Sequence, residues 1–183
     1  DVVSWTTLIS GYVEYGIGDK ALVCYERMQL QAISPNIATF VCSLKACASV
    51  RMIGKGQEMH VDIEKKGLLE GDIALGIGLI DMYTKCGMLA KAAQLLEEIP
   101  FHDEIMWNAL IAGFAEHGDA EEVLRCIGTM WLEDVFPNTK TFVHGLKACE
   151  ILQDMGSGRV LHAEIEGETL MAGDLIGNSL IEM

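Results

Sequence analysis

Half of the 183 residues are apolar and 22% are charged, enough apolar material for a substantial core, so intrinsic disorder is not expected. Three prolines and the lack of Gly/Ser-rich tracts set aside collagen-like and linker-dominated chains. Thirteen Lys and Arg face 27 Asp and Glu, a formal charge of −14, which argues against gripping nucleic acid through a generalised basic field.

In chain order, Trp5, Leu8, Ile9 and Tyr12 fall at i, i+3, i+4 and i+7 and predict one buried face of a first helix. Gly16-Ile-Gly18 ends it, Asp19 is placed to cap the next helix, and Leu22, Tyr25 and Met28 form that helix's buried stripe before Pro35. The same rhythm predicts helices near 38–48, 55–66, 74–86, 88–98, 104–117, 119–132, 139–150 and 156–170, and a last one from about Leu175. No run approaches the roughly eighteen apolar residues of a membrane span, and neither end shows a basic segment followed by an apolar run. The chain starts at Asp1 without Met and stops inside a repeat, as a piece of a longer protein would.

A duplication organises these elements. Residues 1–72 and 103–174 align without a gap at an offset of 102, with 28 of 72 positions identical, where ordinary composition gives roughly 4 or 5. Trp5 returns as Trp107, Pro35-Asn36 as Pro137-Asn138, Thr39-Phe-Val-x-x-Leu-Lys-Ala-Cys47 as Thr141-Phe-Val-x-x-Leu-Lys-Ala-Cys149, and His60 as His162. The finer period divides the chain into helical hairpins at 2–36, 37–72, 73–103, 104–138 and 139–174, with a truncated unit at 175–183. A single hairpin exposes too much apolar surface to stand alone, so stacking predicts an all-α solenoid of helix-turn-helix repeats. Of six cysteines, Cys24 with Cys126 and Cys47 with Cys149 share the 102-residue offset and are read as small core residues; there is no C-x-x-C.

These residues resemble the pentatricopeptide repeat family, in its plant form that alternates standard, long and short motifs. Asp1-Val-Val-Ser-Trp-Thr-Thr-Leu-Ile-Ser-Gly-Tyr12 looks like a standard opening. Leu-Lys-Ala-Cys47 with the later Gly-x-Gly-x-x-x-His60 looks like a long motif, and Leu79-Ile-Asp-Met-Tyr-x-Lys-Cys-Gly87 with Ile99-Pro100 like a short one. Standard motifs are then 2–36 and 104–138, long ones 37–72 and 139–174, short ones 73–103 and 175–183. Tetratricopeptide repeats, with a regular 34-residue period, do not give this rotation.

The resemblance implies a right-handed superhelical α-solenoid that binds single-stranded RNA in a mitochondrion or plastid, one nucleotide per motif, as part of an RNA editing or processing factor. Two side chains per motif read the base: Thr6 with Asn36 and Asn108 with Asn138 in the standard motifs, Val41 with Asp72 and Val143 with Asp174 in the long ones, Ile77 with Asp103 in the short one, and Asn178 in the truncated unit. Thr and Asn carry the donors and acceptors a base edge demands; Val41, Val143 and Ile77 carry none. Val3 and Ile105 look like the residues that sandwich successive bases. By the family's pattern, Thr6 with Asn36 implies adenine, and Asn108 with Asn138 a pyrimidine, cytosine foremost. Protein partners of an editing complex are a further implication; DNA, a membrane and a cofactor are not expected.

The competing class is a helical scaffold for protein partners, favoured by residues 104–183, which carry 4 basic and 14 acidic groups. Across the first helices of the hairpins the balance is only −2, so the inner surface is expected to be near neutral. No enzyme is expected. His162-Ala-Glu164 matches half of the zinc deaminase signature, but P-C-x-x-C is absent, so neither catalysis nor a metal is assigned there. The Gly-x-Gly sequences at Gly16, Gly54, Gly76 and Gly156 complete no phosphate-binding motif and are read mostly as helix-turn punctuation.

Overall fold

The computed structural model describes residues 1–100 and 102–167. Among these the long elements are all helices: α1 (Val2–Glu14), α2 (Gly18–Leu30), α3 (Ile37–Val50), α4 (Ile53–Lys65), α5 (Ile73–Lys85), α6 (Leu89–Glu98), α7 (Glu104–Glu116), α8 (Ala120–Leu132), α9 (Thr139–Leu152) and α10 (Met155–Gly167). A single 3-10 turn, Leu69–Gly71, precedes α5, and no strand occurs among the described residues. The helix predicted from Leu175 lies outside them.

Contacts divide the chain after residue 101 into two units. In the first, the hairpins α1/α2, α3/α4 and α5/α6 stack so that α1 packs on α3 and α3 on α5, while α2 leans on α3 and α4 on α5. The second unit repeats the pattern: α7 and α8 both pack on α9, which pairs with α10. Within each unit the first helices therefore form one layer, and their N-termini share an edge. No helix among the described residues is long and apolar enough to cross a membrane.

Local chemistry sets the hairpins. At Gly16, φ is +70°, and the Ile17 N–H reaches back to the Tyr12 carbonyl at 2.8 Å, closing α1. A left-handed residue followed by such a back-bond satisfies carbonyls that a helix end leaves orphaned. At the ends of α3 and α9, Arg51 and Gln153 take the left-handed conformation instead, with the Met52 and Asp154 N–H groups on the Cys47 and Cys149 carbonyls at 3.0 and 2.9 Å. By contrast, α6 runs out into extended Ile99, as the residue before Pro100 favours.

Apolar faces then meet between neighbours. Tyr25, Met28, Phe40 and Leu44 are fully buried in the first unit, with the Tyr25 and Phe40 rings 6.3 Å apart; Ile127, Met130, Phe142 and Leu146 take corresponding places in the second. Each such side chain contributes about 1.5–3 kcal/mol on leaving water. Cys24, Cys47, Cys126 and Cys149 are buried among them, and burial pushes the Cys47 and Cys126 thiols up to about 12.

Three expectations are corrected. Leu8 was placed on a buried face, yet it is 45% exposed, whereas its repeat partner Leu110 is buried. Helix α1 packs on α2 and α3, and that contact covers Ile9 but not the Leu8 flank. Asp19 does not cap α2: Ile17 holds the N-cap position without a side-chain bond, and Asp19 sits in the first turn, where its charge favours the helix dipole. At the equivalent of Ile17, Asp119 does cap α8, through the Glu122 N–H. The glycine pairs are not all punctuation either. Gly76 and Gly78 are buried inside α5, and a Cβ on Gly18 would lie 2.4 Å from Ser49 Oγ and 3.1 Å from the Ala46 carbonyl, so glycine there lets α2 and α3 approach closely.

One buried polar pair ties α4 to α5. His60 Nδ1 lies 2.8 Å from the Tyr83 hydroxyl, both side chains are buried, and the rings meet edge to face. Burial holds the His60 imidazole below its ordinary range despite the opposing effect of Glu64, with Lys91 lowering it further and Glu98 opposing; burial depresses His144 as well. A histidine depressed in the fold contributes fully above its unfolded value of about 6.5, and the contribution is lost as pH falls below that value toward the folded one. Urea midpoints are therefore expected to drop between about pH 7.5 and about pH 5.5, above the main carboxylate range. His60→Gln should flatten part of that drop; an unchanged slope in this variant would assign the dependence elsewhere.

Candidate functional site

An α-helix begins with backbone N–H groups that lack intrahelical partners, and a short polar side chain at the N-cap supplies an acceptor. Along the edge of the first-helix layers that acceptor is always an Asn or Asp. Asp1 caps α1 through the Ser4 N–H at 2.8 Å; Asn36 caps α3 through Thr39 at 2.8 Å; Asp72 caps α5 through Leu75 at 3.2 Å; Asp103 caps α7 through Met106 at 2.8 Å. Asn138 caps α9 through Lys140 and Thr141 at 2.8 and 3.1 Å. The four described residues expected at the last positions of the motifs are thus N-caps of the helices that follow. In every case one side-chain oxygen is committed to the backbone.

The identity of the residue fixes what remains. A capping Asn turns its oxygen to the helix and keeps the Nδ2 amide as a donor; a capping Asp keeps its second oxygen as an acceptor. The edge of the first unit so presents a donor at Asn36 and an acceptor at Asp72, and that of the second an acceptor at Asp103 and a donor at Asn138.

Thr39 and Thr141 complete two capping boxes, each accepting a hydrogen bond from the backbone N–H of its own N-cap residue. Both are fully buried. Each also ties the cap to the preceding hairpin. The Thr39 hydroxyl lies 2.8 Å from Asn36 Oδ1 and 2.7 Å from the Thr6 hydroxyl, which itself lies 2.8 Å from the Val2 carbonyl. In the second unit the Thr141 hydroxyl donates to Asn108 Oδ1 at 2.5 Å. The pairs Thr6/Asn36 and Asn108/Asn138 are therefore each gathered by one threonine.

The second pair has a further partner. Asn108 Nδ2 donates to Glu104 Oε1 at 3.4 Å, and Asn138 Nδ2 donates to the same carboxylate oxygen. Val2 occupies the equivalent place in the first repeat and offers no such acceptor. Val3 and Ile105, in the first turns of α1 and α7, are 66% and 57% exposed. Val41, Ile77 and Val143 are half-buried on α3, α5 and α9 and bring no polar group to the edge. Asp174 and Asn178 lie outside the described residues.

Sequence reasoning passed over Thr39, Thr141 and Glu104. The repeated Asn-x-x-Thr at 36–39 and 138–141 is a capping-box pattern and could have pointed to the threonines; nothing local marks Glu104. The charge expectation also shifts. The described first helices carry Glu14, Asp81, Glu104, Glu116 and Glu150 against Lys45, Lys85, Lys140 and Lys147, close to neutral, but the caps Asp1, Asp72 and Asp103 add three carboxylates to the edge. His162 and Glu164 lie on α10, and among the described residues no group of three His, Cys, Asp or Glu comes together to hold a metal.

A profile described as the PPR repeat family matches residues 1–49, and the PPR repeat matches residues 78–102 and 105–135. Together they take in more than half of the chain. A chloroplastic pentatricopeptide repeat-containing protein of Arabidopsis thaliana is 34% identical over all of this chain, which spans 21% of that protein; a mitochondrial one from the same plant is 37% identical over 80% of this chain, which there spans 16%. The chain is therefore far shorter than the curated relatives it matches. Among solved structures, the maize pentatricopeptide repeat protein PPR10, in complex with an 18-nt psaJ RNA element, aligns over 100% of this chain and 27% of its own at TM-score 0.81 and 21% identity. The PPR domain of Arabidopsis thaliana protein-only RNase P 1, in complex with tRNA, aligns over 99% of this chain and 97% of its own at TM-score 0.75 and 11% identity. These likenesses show the fold.

The capping role separates two substitutions of similar size. Asn36→Ala is expected to lower unfolding free energy by about 1 kcal/mol, whereas Asn36→Asp, which retains the cap and adds a favourable charge at a helix N-terminus, should stay within about 0.5 kcal/mol of the parent. Chemical denaturation of the two variants checks this; equal losses would show that Asn36 is not the cap.

Proposed function

Because the chain belongs to the pentatricopeptide repeat family, we propose that it is a sequence-specific binding segment for single-stranded RNA, reading one nucleotide per motif in the register 2–36, 37–72, 73–103, 104–138, 139–174 and 175–183. The observation that carries this reading is the pairing of Thr6 with Asn36 and of Asn108 with Asn138, each drawn to one edge by a buried threonine with the capping oxygen committed to the backbone. RNA-bound neighbours of the same fold, PPR10 and protein-only RNase P 1, support it.

The commitment of that oxygen gives base choice a physical basis. On the Watson–Crick edge, adenine N1 and cytosine N3 are acceptors, whereas guanine N1–H and uracil N3–H are donors. An Asn cap, with only its Nδ2 donor left, suits adenine or cytosine; an Asp cap suits guanine or uracil. The first-helix partner then selects ring size: short Thr6 leaves room for a purine, and the longer Asn108 reaches a pyrimidine. Thr6/Asn36 reads adenine, and Asn108/Asn138 reads cytosine three nucleotides to its 3′ side. Val3 and Ile105 supply apolar surface against the base faces. Val41, Ile77 and Val143 contribute spacing, with Asp72, Asp103 and Asp174 as their weaker second contacts and Asn178 opening the truncated motif.

With so many carboxylates at the edge, affinity rests on base contacts and stacking more than on phosphate neutralisation. The alternation of standard, long and short motifs, with chloroplastic and mitochondrial relatives, points to an organellar RNA editing or processing factor in which this segment is the non-catalytic reader. Protein partners of an editing complex are part of the same proposal.

Competition binding with RNAs randomised at the two read positions tests it. Asn36→Asp is expected to move the first preference from adenine to guanine, and Asn108→Thr to move the second toward adenine, each by about 1–3 kcal/mol and without affecting the other position. Unchanged preferences in both variants would contradict the assignment. Failure of every variant to bind RNA at low salt would favour the scaffold reading, in which the acidic surface meets a basic protein.

A further inference from the structure

The two standard repeats offer the same kind of edge, but only the second has it occupied. Glu104, in the first turn of α7, accepts from Asn108 Nδ2 one turn along its own helix and from Asn138 Nδ2 across the hairpin junction. Both side chains assigned to reading the second base thereby point donors at one carboxylate. A single carboxylate oxygen, Oε1, so takes both amide donors, the part that an acceptor on the Watson–Crick edge of cytosine would play. Val2 stands at the equivalent position of the first repeat, and no bond is formed there by the Asn36 amide nitrogen to a carboxylate comparable with the one at Asn138.

We propose that Glu104 is an intramolecular stand-in for the pyrimidine edge: it occupies the reading site of the 104–138 repeat in the free protein and must be displaced before a base binds there. The inference rests on the assignment of Asn108 and Asn138 as reading residues. Two consequences follow from competition for the same donors. Occupancy lowers apparent affinity in proportion to the fraction of open sites. It also sharpens selection, because only a base that offers acceptors to both amides replaces what Glu104 provides; a purine that satisfies one of them leaves the other without its carboxylate. Glu104 is exposed, so its replacement leaves the core of the second unit untouched.

The test uses the 183-residue chain with Glu104→Val, which installs the first repeat's residue, and Glu150→Gln, which removes an exposed carboxylate from α9 away from the pair. Probes are unstructured RNAs with adenine at the first read position and each of the four bases at the second. Glu104→Val is expected to raise affinity about fivefold or more for the cytosine probe and distinctly less for purine probes. Glu150→Gln should raise all four alike, by about twofold, as loss of one like charge does. In the RNA-free protein, the side-chain amide NMR signals of Asn108 and Asn138 should both move in Glu104→Val and stay in Glu150→Gln. Unmoved amide signals, or an affinity gain identical to that of Glu150→Gln across the four probes, would overturn the stand-in while leaving RNA reading intact. If the amide signals move but no protein binds any probe at low salt, RNA reading itself fails, and displacement by a base fails with it.

Discussion

Everything at the candidate interface depends on one recurring hydrogen bond, from a backbone N–H in the first turn of a hairpin's leading helix to the side-chain oxygen of the residue just before that helix. A helix needs that acceptor whatever else the protein does. Here the acceptor is supplied by the residues proposed to read bases, so a structural requirement and the proposed recognition surface use two ends of one small side chain. The cap removes rotational freedom from Asn36 and Asn138, and an amide whose oxygen is held can only present nitrogen. The proposed recognition would thus be pre-organised by folding, which lowers the ordering cost that binding otherwise carries.

Burial of Thr39 and Thr141 extends the same logic between hairpins. Each hydroxyl belongs to the second hairpin's capping box and touches a first-helix side chain of the preceding hairpin, Thr6 or Asn108. Because α1 packs on α3 and α7 on α9, the stacking that buries Phe40 and Phe142 also sets the spacing of the pairs Thr6/Asn36 and Asn108/Asn138. Exchange of Asn for Asp at the capping member of a pair leaves this framework in place, since the capping oxygen is common to both.

The repeat, the helices and most of the core were legible because periodicity and the 102-residue offset report burial directly: Tyr25, Met28 and the four recurrent cysteines are where the pattern put them. What escaped depends on neighbours. Leu8 holds the same repeat position as Leu110 but has a different degree of cover. Asp19 looked like a cap because capping residues are recognised by type, whereas the turn ends two residues earlier, at Ile17. Near-neutrality of the first helices was visible, but counting helices alone omitted the caps Asp1, Asp72 and Asp103. Glu104 could not be found locally at all, since its bond to Asn138 joins residues brought together by the hairpin junction.

The caps are expected to stay closed while their amides meet a base. Side-chain and backbone amide NMR during titration with an adenine-containing RNA measures this most directly at Asn36. The expected result is a large shift of the Asn36 Nδ2 proton signals, with the Thr39 backbone N–H unshifted and as slow to exchange with solvent as in the free protein. Loss of exchange protection at Thr39 on binding, or a silent Asn36 amide in a protein that does bind, would contradict the account.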